Sequence, residues 1–442
     1  MKIFSDTKIY VLCPANVHTG GPESLHQLTS RLISFGVDAK ILYCARVGEF
    51  FDINDPVHPA LKKYHVPYTF GFEDSSRNVF VVPEPLTEHL YAVKKCRKIL
   101  WWMSVNNYLE NILELIRPCI DSPLTEPVPK YFTFDKPNDV DEHWGQSEFV
   151  RQFLRLNGVK KIRSVETHMG QIFLSNAASV DFAAKKNFVT FNPRKGFEFT
   201  KKLIELAPDI DWRPIENMSP VQVRELLAAS KVYIDFGNFP GRERLPREAA
   251  VSGCVVIIGK RGAAGNDVDF NIPAEFKFDE REPEVIIKKI RDVLKNFDTA
   301  FEAQKNFREQ IFNAQKNFSD AVIDAFGIKK FPPPTVALTQ GVDEKSFLLA
   351  EEFFRTKNFL PKFIVDDTLA NARITDDLIV RDRNRNYLRV GKNLVEIISF
   401  ADAKFLYLEG RIQKFALLEP TTADLDALKN FAAPDDVLTF TR

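Results

Sequence analysis

The sequence predicts an α/β fold: two successive domains of parallel strands and helices, followed by a small α+β accessory domain. Short apolar runs of strand length alternate with amphipathic helical stretches from Ile9 to about Phe326. The alternation blurs between Lys161 and Asp181 and then restarts. A proline cluster at 331–334 ends it, and hairpin-like strands follow. We therefore expect domains at residues 1–165, 166–330 and 331–442.

The first domain begins with a predicted strand at Ile9–Cys13 and a helix that Gly36 closes. His18, Gly20 and Gly21 lie in the turn between them. Paired glycines let a phosphate or a sugar approach the backbone closely, although they equally suit a plain turn. The turn lacks the GxGxxG pattern, which counts against a nicotinamide enzyme. The other elements expected in this domain are strands at Ile41–Tyr43, Val79–Val82 and Ile99–Val105 and a helix at Ser147–Leu156.

The second domain shows the same alternation more clearly. Ser219, Pro220 and Gln222 have the spacing of a capping box with proline at the first helical position. Strands are expected at Phe188–Phe191, Ile210–Ile215, Val232–Phe236 and Cys254–Ile258, and helices at Phe197–Leu206 and over Glu282–Phe326. In the third domain we expect a helix at Leu348–Phe354 and strands at Leu378–Val380, Tyr387–Val390, Val395–Phe400, Phe405–Leu408 and Lys414–Leu418.

A loop rich in Gly, Pro and Arg joins the strand Val232–Phe236 to a helix expected to start at Glu248–Val251. Ligands of open parallel sheets bind outside the carboxyl ends of the strands, where helix N-termini favour phosphate. Arg242, Arg244 and Arg247 in this loop indicate a phosphorylated ligand. A solvated loop explains the same charges equally well.

Composition narrows the class of protein. Lys+Arg and Asp+Glu both number 60, so no net field suggests a nucleic acid partner. The five cysteines are scattered without a CxxC pair, and the N-terminus has no long apolar segment, so we expect a soluble, cytoplasmic protein. DxD triplets occur at Asp139/Asp141, Asp209/Asp211 and Asp267/Asp269, but none of these closes a long apolar strand, so we expect no metal. GxSxG, HExxH and GxxxxGK[ST] are all absent from the sequence.

Three segments resemble GT-B glycosyltransferases of the bacterial group-1, retaining type. They are HTGGPESLHQLTSRLISFG, NPRKGFEFTKKLIELAP and LLAASKVYIDFGNFPGRERLPREAAVSGCVVI. The resemblance covers roughly residues 5 to 325 and implies two Rossmann-like domains facing across a cleft. It also implies a nucleotide-diphosphate sugar as the donor substrate and no cofactor.

The resemblance implies roles for residues that match the pattern of the family. Gly20 and Gly21 would lie beside the donor diphosphate, and Lys195, with Arg194 next to it, would neutralise it. Glu248 would accept hydrogen bonds from the ribose hydroxyls, as a carboxylate does from a vicinal diol. Glu216 and Asn217 follow a strand where such folds meet the base.

Two positions depart from that pattern. The family has a second glutamate eight residues before the first, but here that residue is Pro240. Glu243 lies nearby and, with His18, is our candidate catalytic residue, although His18 equally suits a turn-capping role. The arginine expected five residues before Lys195 is Thr190, and Arg242, Arg244 or Arg247 would replace its charge.

The sequence therefore predicts a metal-independent, hexosyltransferase-type enzyme, retaining by resemblance. It would move a sugar to a glycan or lipid-linked glycan, such as a bacterial surface polysaccharide or lipopolysaccharide. Peripheral association with a membrane or an assembly complex would fit such an acceptor. One alternative is a catalytically silent GT-B module that binds a nucleotide sugar or glycan. A nucleotide-sugar epimerase, for which Glu84 and His18 are the available pair, and a phosphorylase are the others.

Overall fold

The computed structural model describes residues 1–45, 54–121, 130–175, 177, 180–332, 335–339, 350, 353–354, 356, 359–365, 379–382, 385–390, 393–418, 426–428 and 431–440. They form two compact units. The first unit contains residues 1–5 and 73–327, and the second contains 6–45, 54–72 and the described residues from 328 onward.

Strands and helices alternate along the chain. The strands are β1 (Lys8–Pro14), β2 (Asp38–Cys44), β3 (Tyr68–Thr69), β4 (Val79–Pro83), β5 (Arg97–Trp102), β6 (Glu142–Gly145), β7 (Ile162–Ser164), β8 (Lys186–Phe191), β9 (Asp211–Pro214), β10 (Ser230–Asp235), β11 (Val255–Gly259), β12 (Lys277–Phe278), β13 (Thr335–Thr339), β14 (Leu360–Val365), β15 (Ile379–Asp382), β16 (Arg385–Val390), β17 (Asn393–Ile398), β18 (Lys414–Leu418) and β19 (Val437–Phe440). The α-helices are α1 (Gly20–Ser34), α2 (Val105–Asp121), α3 (Glu148–Leu156), α4 (Gln171–Leu174), α5 (Phe197–Leu206), α6 (Pro220–Ala229), α7 (Arg244–Val251), α8 (Pro283–Lys295), α9 (Phe297–Ala303), α10 (Lys305–Phe326) and α11 (Phe400–Leu408). Short 3-10 helices lie at Pro59–Tyr64, Glu84–Tyr91, Pro137–Asp139, Gly262–Gly265, Ala274–Phe276 and Pro434–Asp436.

The first unit contains two sets of parallel strands. Strands β4, β5, β6 and β7 pair in that order, and a five-stranded sheet has the order β12-β11-β10-β8-β9. Strand β11 is buried along its whole length, as expected for a parallel strand with helices on both faces. This arrangement confirms the α/β class and the Rossmann-like pattern predicted for these residues.

In the second unit β1 pairs with β2, and β2 with β3, in parallel register. Its other sheet has the order β15-β16-β17-β14-β13-β18-β19. Strands β17, β14, β13, β18 and β19 pair in parallel, whereas β15, β16 and β17 pair in antiparallel register. The third predicted domain thus contains helices and strands as expected, with more parallel pairing than an α+β domain usually has. The residues of the first predicted domain fall in both units, and the boundaries at 165 and 330 stay predictions.

Most predicted elements of the first 330 residues are present with small shifts in their ends. Helix α5 has the predicted bounds, and Ser219 and Gln222 form the predicted capping box at the start of α6. Trp101 and Trp102 are fully buried. Helix α7 begins at Arg244, four residues before the predicted start, which places Arg244 and Arg247 on the helix rather than in the loop.

One predicted strand is wrong. Phe405–Leu408 forms the end of helix α11, whose N-cap Ser399 accepts a hydrogen bond from the Asp402 amide. The apolar run FLYL has strand length, but the cap and the residues before it extend a helix through it. Helix α2 has no counterpart among the predicted elements. The helix predicted at Leu348–Phe354 lies partly outside the described residues.

Within the described part of the chain, no helix combines the length and the hydropathy that a membrane span needs. Among the same residues, no group of three or more His, Cys, Asp or Glu side chains is arranged to hold a metal ion. Metal independence stays a prediction.

Candidate active site

Two loops meet at the carboxyl ends of neighbouring strands in the first unit. Residues 192–196 follow β8, and residues 236–243 follow β10. Gly196 has a φ of 62°, and a Cβ there would lie 2.5 Å from the carbonyl carbon of Phe236. A Cβ on Gly237 would lie 2.8 Å from the Cβ of Lys195. Both glycines are therefore required by the close approach of the two backbones.

These loops bring Lys195 and Glu243 together across 48 positions of sequence. The Lys195 ammonium donates to Glu243 Oε2 at 2.5 Å, and the side chains are 38% and 23% exposed. Glu243 is also the N-cap residue of α7, at the positive end of that helix. We call Lys195, Glu243 and the N-terminus of α7 the anion site.

Glu248, the residue predicted to bind the ribose hydroxyls, lies on helix α7 about one turn after its start. The Glu248 side chain is largely buried, with 8% of the residue exposed, and its Oε1 lies 3.3 Å from an Arg244 guanidinium nitrogen. The Arg244 side chain is 34% exposed. The structure thus brings together four of the predicted site residues, Lys195, Glu243, Arg244 and Glu248. Their roles in binding a donor stay predictions.

Arg247 has a different environment from Arg244. It is 1% exposed, and its guanidinium donates to the carbonyl oxygens of Thr167 at 3.2 Å, Arg242 at 2.7 Å and Glu243 at 3.0 Å. Burial lowers its pKa to about 9. Its predicted contact with a donor remains untested. The geometry gives it a bracing role, because it fixes the backbone on both sides of the loop end.

Arg242 lies where the loop after β10 reaches the strands β4 to β7. It is buried and forms an ion pair with Glu166, and burial lowers its pKa to about 10. Among the described residues its Nε and Nη2 have no hydrogen-bond partner. A Cβ at the preceding Gly241 would lie 2.6 Å from the Met103 carbonyl oxygen, so the backbone is tightly packed here.

Glu84 anchors the segment that Gly241 contacts. Its carboxylate, at the end of β4, accepts the amide N–H of Met103 at 2.9 Å and of Ser104 at 3.1 Å. The residue is fully buried, and burial raises its pKa to about 7. These bonds hold the two residues that precede α2.

Asp269 also links the loops of the five-stranded sheet to the residues around strands β4 to β7. Its buried carboxylate accepts the amides of Glu148 at 2.7 Å and Phe149 at 2.9 Å, the first two residues of α3. The loop after β11 therefore caps a helix that belongs to the other set of strands. This explains one aspartate of the DxD triplets without a metal.

Of the remaining predicted site residues, Arg194 is next to the anion site in the sequence and the others lie further from it along the chain. Arg194 is exposed beside Lys195, and Glu216 and Asn217 are exposed after β9, next to β8 in the sheet. His18, Gly20 and Gly21 belong to the second unit, where the last two are the first residues of α1. Neither glycine has a positive φ, and the His18 ring stacks on His58 at 5.0 Å.

Asp235 was not among the predicted site residues, although it ends the apolar strand β10 next to Gly237. Its buried carboxylate accepts the Gly237 amide at 2.9 Å and the Tyr233 hydroxyl at 3.0 Å. Burial raises its pKa to about 6. An acidic residue that closes an apolar strand before a glycine turn is the signal that identifies it. Thr190, where the family has arginine, is buried and donates to the Val232 carbonyl at 3.0 Å.

No family model and no curated protein matches the chain. Solved structures do. TarM from S. aureus, in complex with fondaparinux, α-GlcNAc-glycerol and UDP, is 11% identical with a TM-score of 0.42, over 57% of this chain and 55% of TarM. The chain thus matches about half the length of TarM.

Two other solved structures match over more of their length. Sucrose-phosphate synthase from Thermosynechococcus elongatus is 12% identical over 72% of this chain and 97% of its own, with a TM-score of 0.49. HepE from Anabaena, in complex with UDP-glucose, is 12% identical over 72% and 98%, with a TM-score of 0.43. The solved structures to which this chain is similar are GT-B glycosyltransferases, the class that the sequence resembles.

Proposed function

We propose that the protein is a glycosyltransferase that takes its sugar from a nucleoside diphosphate donor. The observation that carries the proposal is the Lys195–Glu243 ion pair beside the N-terminus of α7, at the carboxyl ends of β8 and β10. A cation and a helix N-terminus at this edge of a parallel sheet suit a phosphate group. The Glu243 carboxylate balances the charge of Lys195, and a diphosphate would take its place.

The chemistry needs a group that stabilises the leaving diphosphate. Negative charge grows on that group as the bond to the sugar breaks, and a preorganised cation lowers the barrier. Lys195 would supply the charge, with Arg194 and Arg244 adding to it from more exposed positions. Glu248, on the next turn of α7, would accept the ribose hydroxyls, and Glu216 and Asn217 would lie towards the base.

Further features of the reaction belong to the proposal through the family resemblance. They are hexosyl transfer with retention, no metal or cofactor, and a glycan or lipid-linked glycan as acceptor. His18 and Glu243 are each proposed as a catalytic residue, His18 for the sugar or the acceptor and Glu243 for the donor sugar once a diphosphate has displaced it from Lys195.

A thermal-shift screen against UDP-, GDP-, dTDP-, ADP- and CMP-linked sugars and their free nucleotides tests donor binding without a known acceptor. A ligand that binds only the folded chain raises the melting temperature. We expect one nucleoside diphosphate to do so, and Lys195→Ala and Glu248→Ala each to remove the shift. Lys201→Ala and Glu205→Gln, which alter exposed residues of α5, are the matched controls. Unchanged shifts in both site variants would refute the assignment.

Turnover separates an enzyme from a silent binding module. An active transferase releases free nucleoside diphosphate from the donor when the acceptor is present. Without an acceptor it releases the same product slowly, by transferring the sugar to water. Sugar-nucleotide binding without any release, across a panel of glycan acceptors, would favour the silent module. The same assay excludes an epimerase if the donor sugar leaves the nucleotide.

A further inference from the structure

The turn after β10 is held by one buried side chain. Asp235 accepts the Gly237 amide through Oδ1 at 2.9 Å and the Tyr233 hydroxyl through Oδ2 at 3.0 Å. Both Asp235 and Tyr233 are buried, so neither bond competes with water. Gly237 is therefore fixed relative to strand β10.

Lys195 is in turn fixed by Gly237. A Cβ on Gly237 would lie 2.8 Å from the Lys195 Cβ, so the lysine side chain begins in direct contact with the glycine backbone. The neighbouring Gly196 leaves the same small clearance to the carbonyl of Phe236. A displacement of the turn after β10 must also displace the Lys195 Cβ, because close-packed backbones cannot move past one another.

We propose that Asp235 is a positioning residue of the anion site: its carboxylate fixes the Gly237 turn, and the turn sets where the Lys195 ammonium stands. The inference rests on the proposed function and adds a residue to it. Asp235 does not touch the ligand. The charged groups that face it are Lys195 and Glu243, and Tyr233 is the titratable group bonded to it.

Two substitutions separate its hydrogen bond from its charge. Asp235→Asn and Asp235→Ala both remove the negative charge, which repels an anionic ligand. Only the asparagine keeps an oxygen that accepts the Gly237 amide. We therefore compare these two variants with each other rather than with the wild type, using inorganic pyrophosphate and UDP as probes in calorimetric titrations.

We expect Asp235→Ala to bind the probes up to about tenfold more weakly than Asp235→Asn, because only the alanine leaves the Gly237 amide without its hydrogen bond. In a Lys195→Ala background the two variants should differ by less than about twofold, because the effect acts through the lysine. A purely structural role predicts the same difference in both backgrounds, and that result would overturn the proposal.

A ligand-free measurement keeps the inference separate from the proposed function. With selectively labelled lysine, the side-chain methylene resonances of Lys195, assigned from Lys195→Arg, should move further in Asp235→Ala than in Asp235→Asn, which removes the same charge. Gly237→Ala should move them too, and it serves if Asp235→Ala does not fold. A wild type that binds neither probe would refute the proposed function, whereas unmoved resonances in Asp235→Ala and Gly237→Ala would refute the positioning.

Discussion

Replacing Glu243 by glutamine tests whether its ion pair with Lys195 competes with the binding of a ligand. The substitution keeps the shape of the side chain and removes the charge that balances Lys195. The Lys195 and Glu243 side chains are 38% and 23% exposed, so solvent screens the pair and its net worth is about 0.2–1 kcal/mol. Removing that competition should tighten binding of the nucleoside diphosphate by up to about fivefold. Reduced repulsion between Glu243 and the phosphates acts in the same direction.

Calorimetric titration with the nucleoside diphosphate from the screen measures this gain. The gain should shrink as the ionic strength rises from about 0.01 to 0.15 M, because the Debye length falls from about 30 to 8 Å. Glu205→Gln is the matched control: it also removes a glutamate from a lysine pair, with Lys201 at 3.9 Å, at the far end of α5. Weaker binding in Glu243→Gln than in the control would refute the competition and mean that the carboxylate itself holds the ligand.

Three further predictions concern the scaffold. Lys185→Met should lower the free energy of unfolding in urea by about 3 kcal/mol, because the Lys185 ammonium donates to four backbone carbonyls at 2.8–3.3 Å that methionine leaves unpaired. Asp269→Ala should lower the free energy of unfolding by about 1–2 kcal/mol in the same assay, because α3 loses the carboxylate that caps its first two amides. Burial raises the pKa of Glu84 to about 7 from an ordinary 4.5, so the folded chain keeps a proton that the unfolded chain loses. Stability should therefore fall as pH rises from 4.5 to 7, and Glu84→Gln should flatten that slope in thermal unfolding.

The parts of the fold that the sequence predicts are those with local signals. The bounds of α5 follow from an amphipathic run that begins after a glycine, and α6 follows from the Ser219–Gln222 capping box. The alternation of strand and helix in the second domain predicts a parallel sheet, because sequential parallel strands need a crossover between them. None of these inferences needs a contact between distant residues.

The errors arise where one local pattern suits two structures. The run Phe405–Leu408 is short and apolar, and such a run does not by itself distinguish a strand from the end of a helix. Ser399 with Asp402 three residues later is the signal that decides it. Helix α7 was predicted to start too late because the loop residues before Glu248 contain a proline, which in fact lies in the first turn.

Sequence patterns predict some residues of the site but not the contacts between them. Lys195 and Glu248 are predicted from motif positions and Arg244 from its charge, and the structure brings all three to one edge of the sheet. That Lys195 meets Glu243 depends on a contact over 48 positions, which no local pattern encodes. Arg247 was predicted to bind phosphate from its charge alone. Its burial against three carbonyls depends on packing between distant segments.

The cations in and around the loop after β10 differ in how their charge is balanced. Arg247 is bonded to backbone carbonyls, and the buried Arg242 is paired with the partly buried Glu166, so an incoming ligand would have to break the packing to reach either arginine. Removing a partner from a buried charge costs several kcal/mol, and such pairs hold the loop in place. Lys195 is instead balanced by a partly exposed carboxylate whose net worth is small. We expect a diphosphate to replace Glu243 at little cost while the buried arginines keep the loop after β10 fixed. This difference makes Lys195, in the neighbouring loop after β8, the cation at this edge of the sheet that is best suited to an exchangeable ligand.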